Sequence, residues 1–408
     1  MNTQVYSKRY EIVITFLFFF TWGAIFLDRL TVSYASTALY KDFNLTNTQY
    51  SSLSTINAFT FAFASIVGGM LSDRLGIYKN LLAPLTIISG ITSLCCALFA
   101  TEYYHIVLAR GIVGLATGAN MTLMFTILGN YNPKNLGQNS GIVNTGPPVV
   151  AYICGPIIMT RIISSLTWNY CYALTGILLV LTGLAILFFV KEIESAPKEK
   201  KHKTFKFLDM FRNKNYVLCI VYGICIMCVY WTVNLYATTF MTKVIGIDAI
   251  KMGYIATTMG IFACVYGLLV PVASDKLGRK KILIIAGFLC CLAPLSMSAF
   301  SNHALALGPY ILFGGISGAL TPIWSSIIPM ECLPSGLKAT GSGIAYGITE
   351  IISGSLWPIL AGTISDTKSI SSVLIVGGIL ALVGCSISLF MKESHKMIKS
   401  KQDEITKA

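Results

Sequence analysis

Charged residues are scarce in this sequence of 408 residues: Asp, Glu, Lys and Arg make up only 12% of it, whereas 55% of the residues are hydrophobic. A water-soluble domain carries about a quarter charged residues, so a globule of this composition could not cover its surface with polar groups. Apolar runs of about 20 residues, the length that crosses a bilayer core, recur along the whole chain. The composition therefore predicts a membrane protein and argues against a large soluble helical one.

Signals for metal binding, covalent catalysis and nucleic-acid binding are also missing. None of the four histidines lies deep in an apolar run, and most of the twelve cysteines lie inside apolar segments, where they serve as small core residues. The sequence shows no nucleophile elbow, no HExxH and no phosphate-binding loop beside a strand. The net charge of +13 comes from Lys and Arg in the loops between apolar runs. We expect no cofactor, no metal, no enzymatic activity and no nucleic-acid partner.

The apolar runs predict an all-α membrane protein with twelve transmembrane helices in two pseudo-symmetric six-helix bundles. The predicted spans are 12–38, 49–72, 80–101, 105–129, 136–160, 168–190, 215–241, 251–274, 281–300, 304–328, 338–364 and 370–391. The first run is long enough to span, so we interpret it as a retained helix and not as a signal peptide. The one long polar stretch suggests an N-terminal bundle (1–190), a cytoplasmic linker (191–214) and a C-terminal bundle with a cytoplasmic tail (215–408).

The basic residues predict the orientation of the chain. The termini, the linker and the loops on their side hold 23 Lys and Arg residues, against five on the opposite side. Cytoplasmic loops carry the excess of basic residues. We therefore expect a multi-pass protein of the cell (inner or plasma) membrane with both termini in the cytoplasm. We expect a monomer.

The two halves are related in sequence. Ser72-Asp73-Arg74-Leu75-Gly76 recurs as Ser274-Asp275-Lys276-Leu277-Gly278, and Ser140-Gly141-Ile142 recurs as Ser342-Gly343-Ile344, each 202 positions later. Two matches at one offset indicate an internal repeat. Transporters built from such repeats bind their substrate near the midplane, where the repeats meet, and move one repeat against the other.

The repeated loops resemble a signature of the major facilitator superfamily, found between helices two and three and again between helices eight and nine. A helix-end Asp followed by basic residues can pair with a neighbouring helix terminus and latch one conformation. The alternative, positive-inside topology alone, explains the basic residues but not the Gly and Asp positions. The resemblance implies gating roles for six residues: Gly69, Asp73, Arg74, Asp275, Lys276 and Arg279.

A narrower resemblance is to the anion:cation symporter family, which includes sugar-acid, sialic acid and vesicular glutamate transporters. The stretches that carry it are Asp28-Arg29, Tyr50-Ser51-Ser52-Leu53, Ile328-Pro329-Met330-Glu331 and Gly341-Ser342-Gly343. Arg110-xxx-Gly114-xxx-Gly118 in helix four resembles another signature of the superfamily. In the symporter family, basic residues at the positions of Arg29 and Arg110 are associated with anion binding and transport. The Asp at the position of Asp28 is associated with cation coupling. This sequence departs from the family at four positions, where other residues are usual: Thr117, Phe61, Ser65 and Glu350.

Four ionisable residues fall inside predicted spans, and each is costly there: Asp28, Arg29, Arg110 and Glu350. Two cations that share a cavity repel each other unless an anion lies between them, and a guanidinium binds a carboxylate in bidentate geometry. We therefore expect Arg29 and Arg110 to bind an anionic substrate. The alternative is that Asp28 pairs with an arginine and fixes helix packing.

The same reasoning gives a coupling site and a cavity lining. A carboxyl in a medium of low dielectric can load and release a proton, so we expect Glu350 and Asp28 to carry the coupling proton, although sodium could substitute. The alternative for Glu350 is a salt bridge to Arg29 or Arg110. Polar residues that could line the cavity, or instead make helix–helix contacts, are Asn144, Tyr346, Trp231 and Asn234.

The function that these patterns favour is proton-coupled uptake of a small organic anion, such as a sugar acid or another carboxylate, by alternating access. The competing function is an antiporter that exports a drug-like or metabolite compound. Such an antiporter would have an apolar cavity with acidic groups and no paired arginines, so Arg29 and Arg110 argue against it.

Overall fold

The structure, a computed structural model, describes residues 7–75, 77–132, 135–192, 207–300, 303–333 and 338–394. Within these ranges the backbone is helical apart from short connections, and no strand is present. Eleven helices there are long and apolar enough to cross a membrane. The predicted span 49–72 lies in a further helix, Asn47–Leu75, which is 29 residues long but not among the eleven. The predicted all-helical membrane fold is confirmed, with a count close to twelve.

The first nine α-helices and one π-helical segment account for the N-terminal part of the chain. They are α1 Lys8–Tyr34, α2 Ser36–Phe43, α3 Asn47–Leu75, α4 Lys79–Phe99, α5 Tyr103–Thr117, α6 Asn120–Tyr131, α7 Leu136–Asn144, the π segment Pro147–Cys154, α8 Gly155–Ser165 and α9 Trp168–Phe189. Helices α5 and α6 together form one candidate span, as do α7, the π segment and α8.

The C-terminal part begins with a 3₁₀ turn, Phe207–Arg212, and continues with nine α-helices and two π segments. They are α10 Lys214–Lys243, α11 Ala249–Leu277, α12 Arg279–Ala299, α13 His303–Phe313, α14 Ile316–Pro322, the π segment Ile323–Ile327, α15 Ile328–Cys332, α16 Lys338–Thr349, the π segment Glu350–Leu356, α17 Trp357–Thr367 and α18 Ile370–Leu389. Most of the predicted linker, 193–206, lies outside the described residues.

Large apolar side chains on the long helices are more exposed than is usual in a water-soluble protein. Leu98 is 74% exposed, Leu108 65% and Phe188 77%. A helix that is apolar on all sides is suited to a lipid environment and not to an aqueous one. The exposed surfaces therefore agree with the membrane assignment.

The chain divides into two compact units. One consists of Met1–Glu199 with Gly246–Ile261, and the other of Lys200–Ile245 with Phe262–Ala408. The sequence-based boundaries follow chain order, whereas the first unit also contains the beginning of α11. Those boundaries stay a prediction.

Within the first unit, the beginning of α11 packs closely on α8 and on the π segment before it. Thr257 donates a hydrogen bond to the backbone oxygen of Ile153 at 3.0 Å, and Arg161 Nη2 donates to the Tyr254 hydroxyl at 2.9 Å. A methyl group at Gly260 would lie 2.2 Å from the Tyr152 carbonyl oxygen. Only a residue without a side chain permits this approach.

The π segments supply structural evidence for the internal repeat. The segment Pro147–Cys154 ends 202 positions before the segment Glu350–Leu356 ends, which is the offset of the sequence repeat. A π segment widens the helix and leaves some backbone groups without their usual partners, and such segments occur frequently at functional sites. The predicted continuous helices are therefore interrupted at equivalent positions of the two halves.

Candidate functional site

The most deeply buried ion pair that the structure describes joins α1 to α5. Arg110 Nη1 lies 2.6 Å from Asp28 Oδ2, and each side chain is 1% exposed. Arg110 also donates to two backbone oxygens of α1, those of Asp28 at 3.1 Å and Arg29 at 3.4 Å. The guanidinium therefore binds both the Asp28 side chain and the backbone of the same turn of α1.

The other carboxylate oxygen of Asp28 holds two further helices. Asp28 Oδ1 accepts hydrogen bonds from Ser93 Oγ of α4 at 2.8 Å and from Thr175 Oγ1 of α9 at 3.0 Å. Asn57 of α3 donates to the backbone oxygen of Arg110 at 3.0 Å. Buried charges are tolerated when they are paired and hydrogen-bonded in this way. One buried cluster thus connects five helices of the first unit.

The two arginines that the sequence placed in one anion site have different contacts. Arg110 is paired with Asp28, and its role in binding an anion stays a prediction. The alternative drawn from the sequence, an Asp28–arginine pair that fixes helix packing, describes the observed contacts. A coupling role for Asp28 stays a prediction.

Arg29 occupies a different environment, although it is the next residue of α1. Its side chain is buried, and its central carbon lies 4.6 Å from the centre of the Phe61 ring and 5.4 Å from that of Phe26. Successive helix residues point about 100° apart, which explains why Asp28 and Arg29 face different neighbours. An aromatic face attracts a guanidinium, so both rings stabilise the positive charge at this position.

In the second unit, Glu350 lies at the start of a π segment and is 2% exposed. A methyl group at Gly354 would lie 3.1 Å from Glu350 Oε1 and 3.2 Å from the indole nitrogen of Trp231. The absence of a side chain at Gly354 therefore leaves space in the π segment for the carboxyl group and for the indole of Trp231 on α10. The role of Glu350 in proton coupling stays a prediction.

The remaining predicted lining residues have unlike surroundings. Tyr346 is half-buried and stacks on Trp324 with ring centres 6.2 Å apart and planes within 2°. Asn234 donates to the backbone oxygen of Tyr230 within α10 at 2.8 Å. Asn144 is exposed at the end of α7. Their roles in binding stay predictions.

The gating motif of the second half forms a network around Arg279. Arg279 Nη1 lies 2.5 Å from Asp275 Oδ1, and Arg279 Nη2 lies 3.1 Å from Glu331 Oε1. The Asp275 side chain is 60% exposed, whereas that of Glu331 is only 8% exposed. Lys276 is exposed. The network joins the end of α11, the start of α12 and α15.

The corresponding motif of the first half lies in α3. Its residues Gly69, Asp73 and Arg74 fall in that helix, but their side chains lie outside the described residues.

Two glutamates that the sequence analysis did not single out cap the helices that follow the repeated loops. Glu192 accepts hydrogen bonds from the backbone N–H groups of Tyr78, Lys79 and Asn80 at 2.7–3.2 Å. Glu393 accepts from those of Arg279 and Lys280 at 2.8 and 3.1 Å. Carboxylates stabilise helix N-termini because these carry unpaired N–H groups and partial positive charge.

Each capping glutamate lies three or four residues after the last long helix of its half. A sequence signal for the pair exists: Phe189-Val190-Lys191-Glu192 resembles Phe390-Met391-Lys392-Glu393, 201 positions later. Among the residues that the structure describes, no group of three or more His, Cys, Asp or Glu side chains is placed to hold a metal ion.

Residues 12–358 match the sequence profile of the Major Facilitator Superfamily. The chain belongs to this superfamily. It is similar to the hexuronate transporter of Escherichia coli (strain K12), with 22% identity and coverage of 93% of each chain. It is also similar to a probable sulfoacetate transporter of Cupriavidus necator, with 23% identity and coverage of 90% of each chain.

Solved structures of the superfamily share the fold. A bacterial homologue of the human lysosomal transporter Spinster aligns with a TM-score of 0.79 and 14% identity, over 96% of this chain and 98% of the other. A D-xylose–proton symporter aligns with a TM-score of 0.76 and 18% identity, over 95% and 99%. The chain is therefore a multi-pass membrane transporter of the major facilitator type.

Proposed function

We propose that this transporter takes up a small organic anion, a sugar acid or another carboxylate, together with a proton. The observation that carries the proposal is Arg29, a buried guanidinium placed over the rings of Phe61 and Phe26. A guanidinium can bind a carboxylate in bidentate geometry, so we assign the negatively charged solute to Arg29.

The names of two relatives support this substrate class. One relative is a transporter of hexuronate, a sugar acid, and another is a probable transporter of sulfoacetate, a small molecule with two acidic groups. Both are organic anions, and both relatives align with at least 90% of this chain. The competing function, export of a drug-like compound by an antiporter, has no comparable support.

Proton coupling is assigned to Glu350. Its carboxyl group is 2% exposed and lies near the indole of Trp231, and a carboxyl group inside a membrane span is typical of proton relays in transporters. The Asp28 carboxylate has an arginine and two hydroxyl groups as partners, contacts that hold α1 against its neighbours. We therefore propose that Glu350 moves the proton and that Asp28 and Arg110 hold α1 in place. The chain acts as a monomer with both termini in the cytoplasm.

The test is a thermal-shift titration of the purified protein with a panel that contains D-glucuronate, D-galacturonate, sulfoacetate and D-glucose. A ligand raises the melting temperature once its concentration exceeds its dissociation constant. At least one anion should stabilise the wild type, glucose should not, and R29Q should abolish the shift. R161Q is the matched control, because Arg161 is an exposed arginine of α8. Equal shifts for R29Q and wild type would refute the proposal.

A further inference from the structure

The ring of Phe61 lies directly against the arginine to which anion binding is assigned. The distance from the Arg29 central carbon to the ring centre is 4.6 Å, well within the reach of a cation–π interaction. Phe61 is 5% exposed, so water does not weaken the interaction. Arg29 belongs to α1 and Phe61 to α3, and the contact therefore fixes the guanidinium relative to a second helix.

The position of Phe61 is set by close packing of α3 on α5. A methyl group at Gly118 would lie 2.2 Å from the Phe61 carbonyl oxygen, and one at Gly114 would lie 3.1 Å from the Phe61 nitrogen. The two glycines thus bring the α3 backbone against α5 at the turn that carries Phe61. These are the glycines that follow Arg110 at four-residue spacing.

The position of Arg29 is set from the other side by the buried ion pair. Asp28 and Arg110 lock the rotation of α1, since both the side chain and the backbone of Asp28 are held. The next residue, Arg29, must then leave the helix toward α3, where it meets Phe61. The Asp28–Arg110 pair therefore fixes the backbone from which the Arg29 side chain extends, and the Phe61 ring fixes its guanidinium group.

We propose that Phe61 is a positioning residue that sets anion affinity by holding the Arg29 guanidinium in its binding orientation. The inference rests on the proposed anion-binding role of Arg29. Phe61 has no hydroxyl group, so it cannot hydrogen-bond to the solute and acts only through the face of its ring. A side chain held in place before binding loses less conformational freedom when the ligand arrives.

The experiment compares dissociation constants, measured by isothermal titration with the anion that stabilises the wild type, for F61M, F61Y and F63M. Methionine keeps most of the bulk but has no aromatic face, and tyrosine keeps the face. Phe63 is the matched control, because it lies two residues away on α3 and is 56% exposed. F61M should weaken binding about five- to thirtyfold, whereas F61Y and F63M should bind within about threefold of wild type.

The melting temperature of F61M without ligand separates the two possible causes of a weaker affinity. A melting temperature equal to that of the wild type shows that the loss of affinity comes from positioning of Arg29 and not from disrupted packing. Wild-type affinity in F61M would overturn the inference, and so would an equal loss in F61Y and F61M. If F61M does not fold, F26M gives a second test, because Phe26 is half-buried and supplies the other ring near Arg29; F26M should weaken binding less than R29Q does, and wild-type affinity there would count against the inference.

The two proposals fail in different ways. If R29Q abolishes binding while loss of the rings changes nothing, only the role of Phe61 is refuted. If R29Q binds the anion as wild type does, the proposed function of Arg29 is refuted, and the inference about Phe61 is overturned with it.

Discussion

Asp28 and Arg110 form an ion pair with 2.6 Å between Oδ2 and Nη1 inside the first unit, and both side chains are 1% exposed. Removing one partner of such a pair leaves an uncompensated charge in a medium of low dielectric. The pair therefore acts as a structural anchor for α1, and its loss should affect folding before it affects selectivity.

We expect D28N to destabilise the protein by about 3–5 kcal/mol, because Arg110 would remain buried without a counter-charge. The measurement is thermal unfolding in detergent. K251A is the control, since the Lys251–Asp248 pair is 3.5 Å long and exposed, and such pairs contribute at most about 1 kcal/mol. Equal melting temperatures for D28N and K251A would contradict the anchor role.

The two carboxylates that bind Arg279 should contribute unequally. E331Q should lower the melting temperature clearly, because Glu331 is 8% exposed and faces a buried guanidinium. D275N should change it little, because Asp275 is 60% exposed and water screens its charge. A larger effect of D275N than of E331Q would show that the exposed motif residue, and not the buried glutamate, holds the network.

The helix caps of the two halves should be separately measurable. E192A and E393A should each destabilise the protein by about 1–2 kcal/mol, because each removes a carboxylate from backbone N–H groups at a helix start. Since the caps lie in different units, the double variant should show the sum of the two losses. D42N, at an exposed aspartate, should have no effect. Wild-type melting of E192A and E393A would exclude a capping role.

Gly354 gives a test of the Glu350 site that leaves the carboxyl group itself in place. In G354A the new methyl group would lie 3.0 Å from Glu350 Cδ and 3.2 Å from the Trp231 indole nitrogen, so the carboxyl group or the indole must shift by a few tenths of an ångström. We expect G354A to lose proton-driven accumulation. Gly347 is the matched control, because it lies in the preceding helix with nothing within 4 Å of an added methyl group. G347A should transport normally, and a G354A variant that also transports normally would count against this geometry.

The sequence predicted the helical scaffold well because bilayer thickness imposes a length and a polarity on every span. The repeat was also visible, because the Ser-Asp-basic-Leu-Gly stretches at 72 and 274 keep one offset. The π segments were not predicted, since apolar runs have the same composition whether the helix is regular or widened. Only the backbone shows that Glu350 begins such a segment.

The site was predicted in part. The sequence identified four of the buried charged residues, but it could not choose between an anion and Asp28 as the partner of Arg110, because both choices satisfy the same charge balance. The structure adds the contact of Arg110 Nη1 with Asp28 Oδ2. The contact between Arg29 and Phe61 depends on the rotation of α1 against α3. A single sequence carries no direct record of that rotation.

The most direct test of proton-coupled anion uptake is transport by the purified protein in proteoliposomes under an imposed pH gradient. The solute is the anion that binds, and protons are more concentrated outside. The wild type should then raise the internal solute concentration above the external one. This accumulation should vanish when the gradient is collapsed. E350Q should lose accumulation but retain exchange of internal for external solute. Accumulation by E350Q at the wild-type level, or wild-type accumulation that does not depend on the gradient, would contradict the account.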